Sequence, residues 1–364
     1  MTLHLDPIEL AIQEIAAGRP VVVVDDEDRE NEGDLVMAAE LATPELVAFM
    51  IRHTSGILCT PLESAEAKRL QLTPMVAEND APLSTAFTVS VDYRHGTTTG
   101  ISAEERCATI RGLANGNSGA EDFVRPGHIF PLVARDGGVL MRTGHTEAAV
   151  DLAKLAGLRP VGLIAELVND DGTVQKGQQV ERFAKEHGFA LVSIDDMIAY
   201  RQGREKLIER VEEREVETLV GPARAIVYSS RYDDAQHVAL VFGSPDAAEA
   251  PMVRLHLENV VDDVFGGFEQ QIWTALRKIK QDGDGVFIYL RSGAVGVAAP
   301  PPDDAEEMGA ISAKTRKEHW RDVGLGAQIV RDLGLSQIRV LSTKDRQYVG
   351  AAGFGVEIVG TEIL

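Results

Sequence analysis

The chain is poor in cysteine and in positive charge and has no long apolar run, and each shortage excludes a class of protein. Its two cysteines, Cys59 and Cys107, allow neither a disulfide framework nor a Cys-x-x-Cys zinc pair. No apolar run is long enough to span a bilayer. Lys and Arg number 36 against 57 Asp and Glu, a formal net charge of −21. That balance argues against a nucleic-acid partner, because polyanion binding depends on a basic surface.

The N-terminal segment also lacks the basic start and the cleavage site of a signal peptide. We therefore expect a cytoplasmic protein with neither a membrane nor a nucleic-acid partner. A small phosphorylated ligand stays compatible with the negative charge, because a local arginine cluster or a helix N-terminus can bind it.

At 364 residues the chain is too long for one ordinary core, which predicts two domains. From about residue 21 to 196, strand-like runs alternate with helical patterns, which favours an α/β domain. One of these helices follows a capping box formed by Ser102 and Glu105. Residues 198–217 are densely charged with a thin apolar stripe and predict a helix between the domains. The predicted divisions are 1–200 for the first domain, 201–220 for a charged helical linker and 221–364 for a second α/β domain.

The most unusual segment is the acidic run of residues 25–34, which follows four valines and precedes a second apolar run. Seven of its ten residues are acids, and two strand-like runs force them into a compact turn. Such crowded carboxylates repel one another, and oxygen-rich sets suit hard divalent cations such as Mg²⁺. The alternative is a solvated turn in which Asn31 and Gly33 make the bend.

The segment 139–154, VLMRTGHTEAAVDLAK, is the second candidate site. It predicts a strand that ends at Arg142, a glycine-containing turn, and a helix that begins near Thr146. Backbone N–H groups at a helix start, a threonine hydroxyl and an arginine together favour phosphate binding. His145 in that turn could ligate a metal or transfer protons. The alternative is a plain helix cap.

Three further side chains are candidates. Glu166 lies in the run PVGLIAELV, which is apolar on both faces as in a buried parallel strand, and its carboxylate suits general acid–base work. A structural ion pair is the alternative for Glu166. His128 follows a Pro-Gly turn, where a core or capping histidine is the alternative. Cys59 is most simply a small buried hydrophobic residue.

Taken together, a carboxylate-rich metal turn, a phosphate-binding helix start and isolated His and Glu side chains indicate one kind of chemistry. They suit metal-assisted proton abstraction beside a carbonyl group, on a small phosphorylated polyol or sugar.

Residues 5 to about 200 resemble the 3,4-dihydroxy-2-butanone 4-phosphate synthases of riboflavin biosynthesis. The resemblance is carried by DDEDRENEGD, HTSGILCTPL, FTVSVDYRHGTTTGISAEERCATI, RPGHIFPLVAR and RTGHTEAAVDLAKLAGL with GLIAELV. It implies a three-layer α/β domain, a homodimer, and Mg²⁺ or Mn²⁺ as the cofactor. The implied reaction converts D-ribulose 5-phosphate to L-3,4-dihydroxy-2-butanone 4-phosphate and formate.

The same resemblance implies roles for individual residues. The metal ligands it implies are Glu30 and His145. The residues it implies for substrate binding are Arg29, Glu30, Asp34, Arg142, Thr143, Gly144, His145, Thr146 and Glu166. Catalysis is assigned to His128 and Glu166, with Glu32 and Cys59 as secondary candidates.

The C-terminal half resembles GTP cyclohydrolase II, in VRLHLENVVDDVFGGF, ALRKIKQDGDGVFIYLR, RDVGLGAQIVRDLGL and the ending AAGFGVEIVGTEIL. That family holds zinc with three cysteines, whose positions here are occupied by Asn259, Gln270 and Ile272. No thiolate is available there, so we expect no zinc. Arg321 matches the nucleophilic arginine of the family, whereas His319 replaces the nearby acidic residue.

Three functions follow as hypotheses. The first is a synthase with a degenerate second domain that is inactive as a cyclohydrolase. The second is a bifunctional enzyme that also hydrolyses GTP, with zinc held by other ligands. The third is a non-enzymatic module that binds metal or phosphate.

Overall fold

The computed structural model divides the chain into two compact units, Met1–Ile198 and Ala199–Leu364. The residues that it describes are 3–25, 30–231, 235–265, 271–291, 324–343 and 356–364. Each unit is built on its own mixed β-sheet, so the predicted two-domain α/β fold class is confirmed. In the described part of the chain, no helix is both long enough and apolar enough to cross a membrane.

The first unit contains a seven-stranded sheet in the order β4-β5-β3-β6-β2-β1-β7. Its strands are β1 (Val21–Val24), β2 (Gly33–Ala38), β3 (Cys59–Leu62), β4 (Val91–Tyr93), β5 (Phe123–Val133), β6 (Gly162–Glu166) and β7 (Leu191–Ser193). The apolar runs on both sides of the acidic segment form the antiparallel hairpin β1–β2, and every residue of both strands is buried. The acidic segment therefore connects two paired central strands, and its residues 26–29 lie outside the described residues.

Helices of the first unit follow the predicted alternation with the strands. They are α1 (Ile8–Ala16), α2 (Pro44–His53), α3 (Ser64–Arg69), α4 (Ala103–Ala114), α5 (His145–Leu155) and α6 (Gln178–His187). Helix α7 (Ile194–Arg204) begins in the first unit and ends in the second. The capping box at α4 is confirmed, because the Glu105 N–H donates to Ser102 Oγ at 3.2 Å. Helix α5 packs closely on β6, since a Cβ on Gly162 would lie 2.6 Å from Ala149 Cβ.

Two local predictions in this unit were wrong. The run Gly138–Leu140 forms a 3-10 turn instead of a strand, because Gly137 and Gly138 take positive φ angles and the Asp151 carboxylate accepts the Val139 N–H. Strand β6 is antiparallel to both of its neighbours, β2 and β3, and not parallel. Burial on both faces produces the same continuous apolar run in either direction.

The second unit contains another seven-stranded sheet, in the order β14-β13-β11-β12-β10-β9-β8. Its strands are β8 (Ile208–Thr218), β9 (Gly221–Ser230), β10 (Gln236–Phe242), β11 (Met252–Leu257), β12 (Gly285–Leu290), β13 (Gln337–Ser342) and β14 (Glu357–Ile363). Its helices are α8 (Val260–Phe265), α9 (Gln271–Asp282) and α10 (residues 324–332). Leu276 and Ile279 of α9 pack in one core with Phe287 of β12.

The predicted helical linker is wrong over residues 208–218, which form the long edge strand β8. Helix α7 ends at Arg204, and β8 then pairs antiparallel with β9 along its length. Glu and Arg favour helices locally, but pairing with β9 decides the structure, because strand preference depends on tertiary context. The dense charge suits an exposed edge strand, since charged side chains discourage further pairing.

Candidate metal and substrate site

The acidic turn between β1 and β2 is organised by the carboxylate of Asp25. Its two oxygens accept the backbone N–H groups of Glu30 at 3.2 Å and of Glu32 at 3.0 Å. Asn31 takes a positive φ of 53°, which an asparagine tolerates in a tight bend. This geometry holds Glu30 and Glu32 at the mouth of the hairpin. Arg29, one of the predicted substrate ligands, lies outside the described residues.

His145 is the first residue of α5 and is buried against the end of the hairpin. Its Nε2 lies 3.1 Å from the carbonyl oxygen of Val23, and only an N–H can satisfy that contact. In the neutral imidazole the lone pair is then on Nδ1. That atom lies 3.8 Å from Glu30 Oε2 and 3.9 Å from Asp34 Oδ1. The turn and the distant Gly-His-Thr segment thus meet in space.

These side chains fit a divalent cation. One ligand atom from each of Asp25, Glu30 and His145 can be chosen so that all lie within 4.8 Å of one another. Ligands of Mg²⁺ at 2.0–2.1 Å are about 3 Å apart when adjacent and about 4.2 Å apart when opposite, and the separations of 3.8 and 3.9 Å fall between these values. Metal-ligating histidines also donate their other N–H to a carbonyl or carboxylate, as His145 does to Val23.

Asp34 adds a second argument for a cation. It is buried in β2, and no hydrogen-bond donor among the described residues reaches its Oδ1 atom. Burial raises the pKa of Asp34 to about 7, and the carboxylates of Glu166 and Glu30 act in the same direction against His145. Burial and the Glu30 carboxylate also raise the pKa of Glu32. A bound cation would favour the ionised form of each of these acids.

Glu166 lies directly beside Asp34 in the sheet, so the two side chains project from the same face. The Glu166 Oε2 atom accepts a hydrogen bond from Ser55 Oγ at 2.6 Å. The predicted alternative for Glu166, an ion pair at the strand end, does not form with any described residue at this position. Ser55 holds the carboxylate instead.

His128 lies at the same end of the sheet. Cys59 of β3 is aligned with Phe130 of β5 and with Ile164 of β6. His128 precedes Phe130 by two residues and Glu166 follows Ile164 by two. Strand β5 runs parallel to β3, and β6 runs antiparallel to β3. Going back two residues along β5 to His128 and forward two residues along β6 to Glu166 therefore leads to the same end of the sheet.

Asp92 orients His128. Its Oδ2 lies 2.7 Å from His128 Nδ1, and its Oδ1 accepts the backbone N–H of His128 at 2.8 Å. The carboxylate is buried, whereas 41% of the His128 side chain is exposed. A Cβ on Gly100 would lie 2.1 Å from Asp92 Oδ2, so that glycine allows the close approach of its chain. The imidazole is therefore held at one nitrogen and accessible at the other.

The segment Arg142–Thr146 leads into α5, as predicted, although no strand precedes it. Arg142 Nη1 donates to the buried carboxylate of Glu147 at 2.6 Å, and Nη2 donates to Leu83 O and Thr85 Oγ1. A Cβ on Gly144 would lie 2.4 Å from Arg142 Nη1, so the guanidinium packs over this glycine. Thr143 precedes α5 and is half-buried, whereas Thr146 is buried in the first turn of α5.

Cys59 is buried in β3, and burial raises the pKa of its thiol above the ordinary range. The reading of Cys59 as a small buried hydrophobic residue agrees with this environment. A neutral thiol is a weak nucleophile and a weak metal ligand.

Sequence reasoning missed four residues of the site: Asp25, Ser55, Asp92 and Glu147. Asp25 belongs to the acidic run but carried no signal that set it apart from its neighbours. Ser55 and Asp92 contact partners 111 and 36 residues away, so no local pattern could identify them.

In the second unit, neither described residue at the zinc-cysteine positions is placed to bind zinc. Asn259 caps α8, since its side chain donates to Asp262 Oδ2 at 2.6 Å and accepts the Asp262 N–H. Ile272 lines an apolar cavity together with Trp273 and Tyr289. Gln270, His319 and Arg321 lie outside the described residues, as does the proline-rich loop 300–307.

Comparison with known proteins agrees with this division into two parts. The sequence pattern of the 3,4-dihydroxy-2-butanone 4-phosphate synthase family matches residues 9–200, and that of GTP cyclohydrolase II matches residues 209–362. The riboflavin biosynthesis protein RibBA of Rhodococcus jostii is 48% identical over 374 residues, covering 98% of this chain and 90% of that protein. RibBA of Mycobacterium tuberculosis is 47% identical over 375 residues, covering 98% and 88%.

Solved structures that are similar to this one include two 3,4-dihydroxy-2-butanone 4-phosphate synthases. The first, RibBX of A. baumannii, is described as a two-domain 3,4-dihydroxy-2-butanone 4-phosphate synthase, with a TM-score of 0.82 and 34% identity over 98% of this chain and 99% of that one. The second is a 3,4-dihydroxy-2-butanone 4-phosphate synthase in complex with two magnesium ions, with a TM-score of 0.54 and 44% identity over 55% and 98%. The chain belongs to the 3,4-dihydroxy-2-butanone 4-phosphate synthase family, whose members are lyases of riboflavin biosynthesis, and carries a GTP cyclohydrolase II family domain at its C-terminal end.

Proposed function

We propose that the first unit converts D-ribulose 5-phosphate to L-3,4-dihydroxy-2-butanone 4-phosphate and formate, with Mg²⁺ or Mn²⁺ bound by Glu30 and His145. The observation that carries the proposal is the position of His145. Its Nε2 lies 3.1 Å from Val23 O, and its Nδ1 lies 3.8 Å from Glu30 Oε2 and 3.9 Å from Asp34 Oδ1. Asp25 is a third ligand within reach.

A bound divalent cation supplies Lewis-acid polarisation of substrate oxygens, which favours loss of a proton beside the carbonyl. The reaction divides a five-carbon phosphate into a four-carbon phosphate and formate without net addition of water. It needs enolisation, dehydration, a skeletal rearrangement, and loss of C4 as formate with uptake of one water in place of the one that dehydration released, so protons must move several times. Two residues at one end of the sheet, His128 and Glu166, are suited to move them.

In this proposal, His128 exchanges protons through Nε2, because Asp92 holds Nδ1. Glu166 exchanges protons at the carboxylate that Ser55 orients. The first turn of α5 binds the substrate phosphate through backbone N–H groups and the Thr143 and Thr146 side chains. Arg142, which Glu147 and Thr85 hold in place, shapes this turn and adds positive charge.

The metal ligands can be tested with Glu30→Ala and His145→Ala. Each loses a ligand, so we expect formate release from ribulose 5-phosphate to fall by at least about 100-fold in saturating Mg²⁺, since second-shell changes alone typically cost 10–100-fold. Circular dichroism should report an intact fold.

Glu186→Ala, which removes an exposed acid from α6, is the matched control and should keep full activity. Full turnover in either ligand variant would contradict the proposal, whereas absence of turnover in the folded wild type would favour a binding module.

We further propose that the second unit is not a cyclohydrolase. Ile272 offers no ligand atom, and the Asn259 side chain is engaged in the α8 cap. The alternative is a bifunctional enzyme, and it draws support from the relatives named RibBA. The A. baumannii relative, described as a two-domain synthase, supports the monofunctional proposal.

The proposal includes three properties of the whole protein: domain limits near 1–200 and 221–364, a homodimer and a cytoplasmic location. Large apolar side chains exposed on the first unit, three of them within residues 75–83, support dimer formation, because contiguous apolar surface is typical of interfaces. These residues are Ile57, Met75, Val76, Leu83 and Ile101. Residues 199–220 contain the end of α7 and the strand β8, so the proposed division follows no helical linker.

A further inference from the structure

A cavity of about 700 Å³ lies in the first unit at the C-terminal end of α4. None of the metal, substrate or proton-transfer residues proposed above lines it. Its wall carries two arginines, Arg111 and Arg159, and one carboxylate, Glu40. The wall therefore has an excess of positive charge in a chain whose net charge is −21. A local excess of this kind favours an anionic ligand.

Arg159 is fixed in position before any ligand binds. Its Nε donates to Ala114 O at 3.3 Å, and Nη2 lies 3.5 Å from Glu66 Oε1. A Cβ on Gly116 would lie 2.3 Å from Arg159 Nη2, so this glycine allows the guanidinium to lie against the backbone. A guanidinium held in this way loses little conformational freedom on binding.

Arg111 differs from the arginines around it. Arg69, Arg94 and Arg125 donate to backbone carbonyls of the loop 115–123. Arg111, on the last turn of α4, is exposed at the cavity, and within the described ranges it has neither a hydrogen bond nor an ion pair. Its guanidinium fork is therefore available for a bidentate contact with an oxyanion.

The aromatic ring of Tyr93 completes the wall. The ring lies against the interior of α4, where a Cβ on Gly112 would be 2.7 Å from Tyr93 Cδ2. Glycine inside a helix is unfavourable, and its presence here is explained by this close approach of the ring. Glu40 accepts the backbone N–H of Arg159 at 2.7 Å, so its charge is partly offset by that contact.

We infer that this cavity binds a small phosphomonoester, with Arg111 and Arg159 on the phosphate oxygens and Tyr93 beside the remainder of the ligand. Two guanidinium groups on one wall suit the charge of a phosphate dianion, and each can contact its oxygens in a bidentate manner. The cavity is large enough for more than the phosphate group, which favours an ester over free phosphate. The site is separate from the proposed substrate site, and so the enzyme can hold two phosphorylated ligands at once.

The inference can be tested by ¹⁹F NMR of the full chain labelled with 3-fluorotyrosine, with the Tyr93 signal assigned from Tyr93→Phe. The probes are glycerol 3-phosphate, inorganic phosphate and glycerol, at constant ionic strength. We expect the Tyr93 signal to shift with glycerol 3-phosphate, to need a higher concentration of phosphate, and not to shift with glycerol. Arg111→Ala should weaken the apparent affinity by roughly tenfold, the loss expected for a charge-assisted contact.

Arg182→Ala removes an exposed arginine from α6 and is the matched control for charge. It should leave the titration unchanged. An unresponsive Tyr93 signal, or an equal response in the wild type and Arg111→Ala, would overturn the inference. Equal binding of phosphate and ester would overturn the preference for an ester. Arg111→Ala should retain synthase turnover, so loss of this site is distinguishable from failure of the proposed function.

Discussion

At the scale of single residues, Asp92 should control turnover without touching the metal site. Each of its oxygens has one partner, the backbone N–H and the Nδ1 of His128. Asparagine has one acceptor oxygen for these two groups and no charge to stabilise an imidazolium. We expect Asp92→Asn to lower kcat by about 100-fold, within the range for general acid–base residues, with little change in KM.

Steady-state kinetics of formate release measure this prediction, and a matched pair provides the control. Asp122 has the same arrangement, because one oxygen lies 2.7 Å from His95 Nε2 and the other accepts the Gly119 N–H at 2.7 Å. The Asp122→Asn variant should therefore have the kcat of the wild type. Equal losses in the two variants would mean that the loss in Asp92→Asn reflects general disturbance and not the orientation of His128.

The sequence predicts the residues whose type is unusual in its local pattern. It does not predict the residues that act through contacts with distant parts of the chain. The acidic run, the Gly-His-Thr turn and Glu166 stood out because each places charge or an imidazole where strand or helix patterns do not need it. Glu30 and His145, the metal ligands that the resemblance implies, lie with Oε2 and Nδ1 3.8 Å apart. Ser55 and Asp92 act through tertiary contacts with Glu166 and His128. Single-residue patterns cannot reveal such contacts.

At the scale of elements, the contact between β2 and α6 should be sensitive to one methyl group. A Cβ on Gly33 would lie 2.6 Å from Val180 Cγ1 and 3.0 Å from Cγ2, so Gly33→Ala must displace α6 or the hairpin. We expect a loss of about 1–3 kcal/mol in the free energy of unfolding, as for other overpacked cores. Urea unfolding of the purified protein measures the loss.

A double-mutant cycle separates this clash from other effects of alanine at position 33. Val180→Ala removes both Cγ atoms, and the remaining Cβ would be 3.4 Å away, an ordinary contact. Gly33→Ala should therefore cost less in the Val180→Ala background, with an interaction energy of about 1 kcal/mol. Additive losses would show that the two side chains do not meet.

The N-terminus of α4 should give a pH-dependent stability. Glu105 accepts hydrogen bonds from Thr98, Gly100 and Ser102, and those from Thr98 lower its pKa most, to about 2. A carboxylate with a lowered pKa stabilises the folded state fully above its ordinary pKa of 4.5, and this contribution disappears as the pH falls through about 2. We expect Glu105→Gln to lower the Tm at pH 7 and the difference from wild type to shrink between pH 4.5 and pH 2.

Thermal unfolding followed by circular dichroism at several pH values tests this. Glu104 is an exposed acid in the same first turn and is the control, since Glu104→Gln keeps the helix-start position but removes none of these contacts. A Tm difference for Glu105→Gln that stays constant as the pH falls would contradict the assignment.

Element prediction succeeded where local pattern and tertiary environment agree. The valine strand β1, the capped helix α4 and the helix α5 combine strong periodicity with clear start signals. The strand β8 failed because its Glu-rich composition favours a helix, whereas its structure comes from the register with β9. The turn at Gly138–Leu140 failed because aliphatic side chains resembled a strand and the glycine conformations were not visible in the sequence.

At the scale of the whole molecule, the two units should differ in the metals that they bind. The first presents oxygen atoms and one imidazole, a set suited to Mg²⁺ or Mn²⁺. The second contains no cysteine, and among the described residues Ile272 has no ligand atom while the Asn259 side chain caps α8. Zinc activation of water is the main electrostatic contribution to hydrolytic opening of a purine ring, so its loss should abolish that activity.

We expect the purified full chain to contain much less than one zinc per chain by mass spectrometry and to release no formate from GTP. Both candidate reactions yield formate, so each substrate must be assayed alone. EDTA should abolish formate release from ribulose 5-phosphate, and Mg²⁺ should restore it because the proposed ligands, Glu30 and His145, are intact. Stoichiometric zinc together with formate release from GTP would establish the bifunctional alternative. Zinc without GTP turnover would show that other side chains of the second unit bind the metal, in which case the loss of cyclohydrolase activity would need a cause other than the missing cysteines.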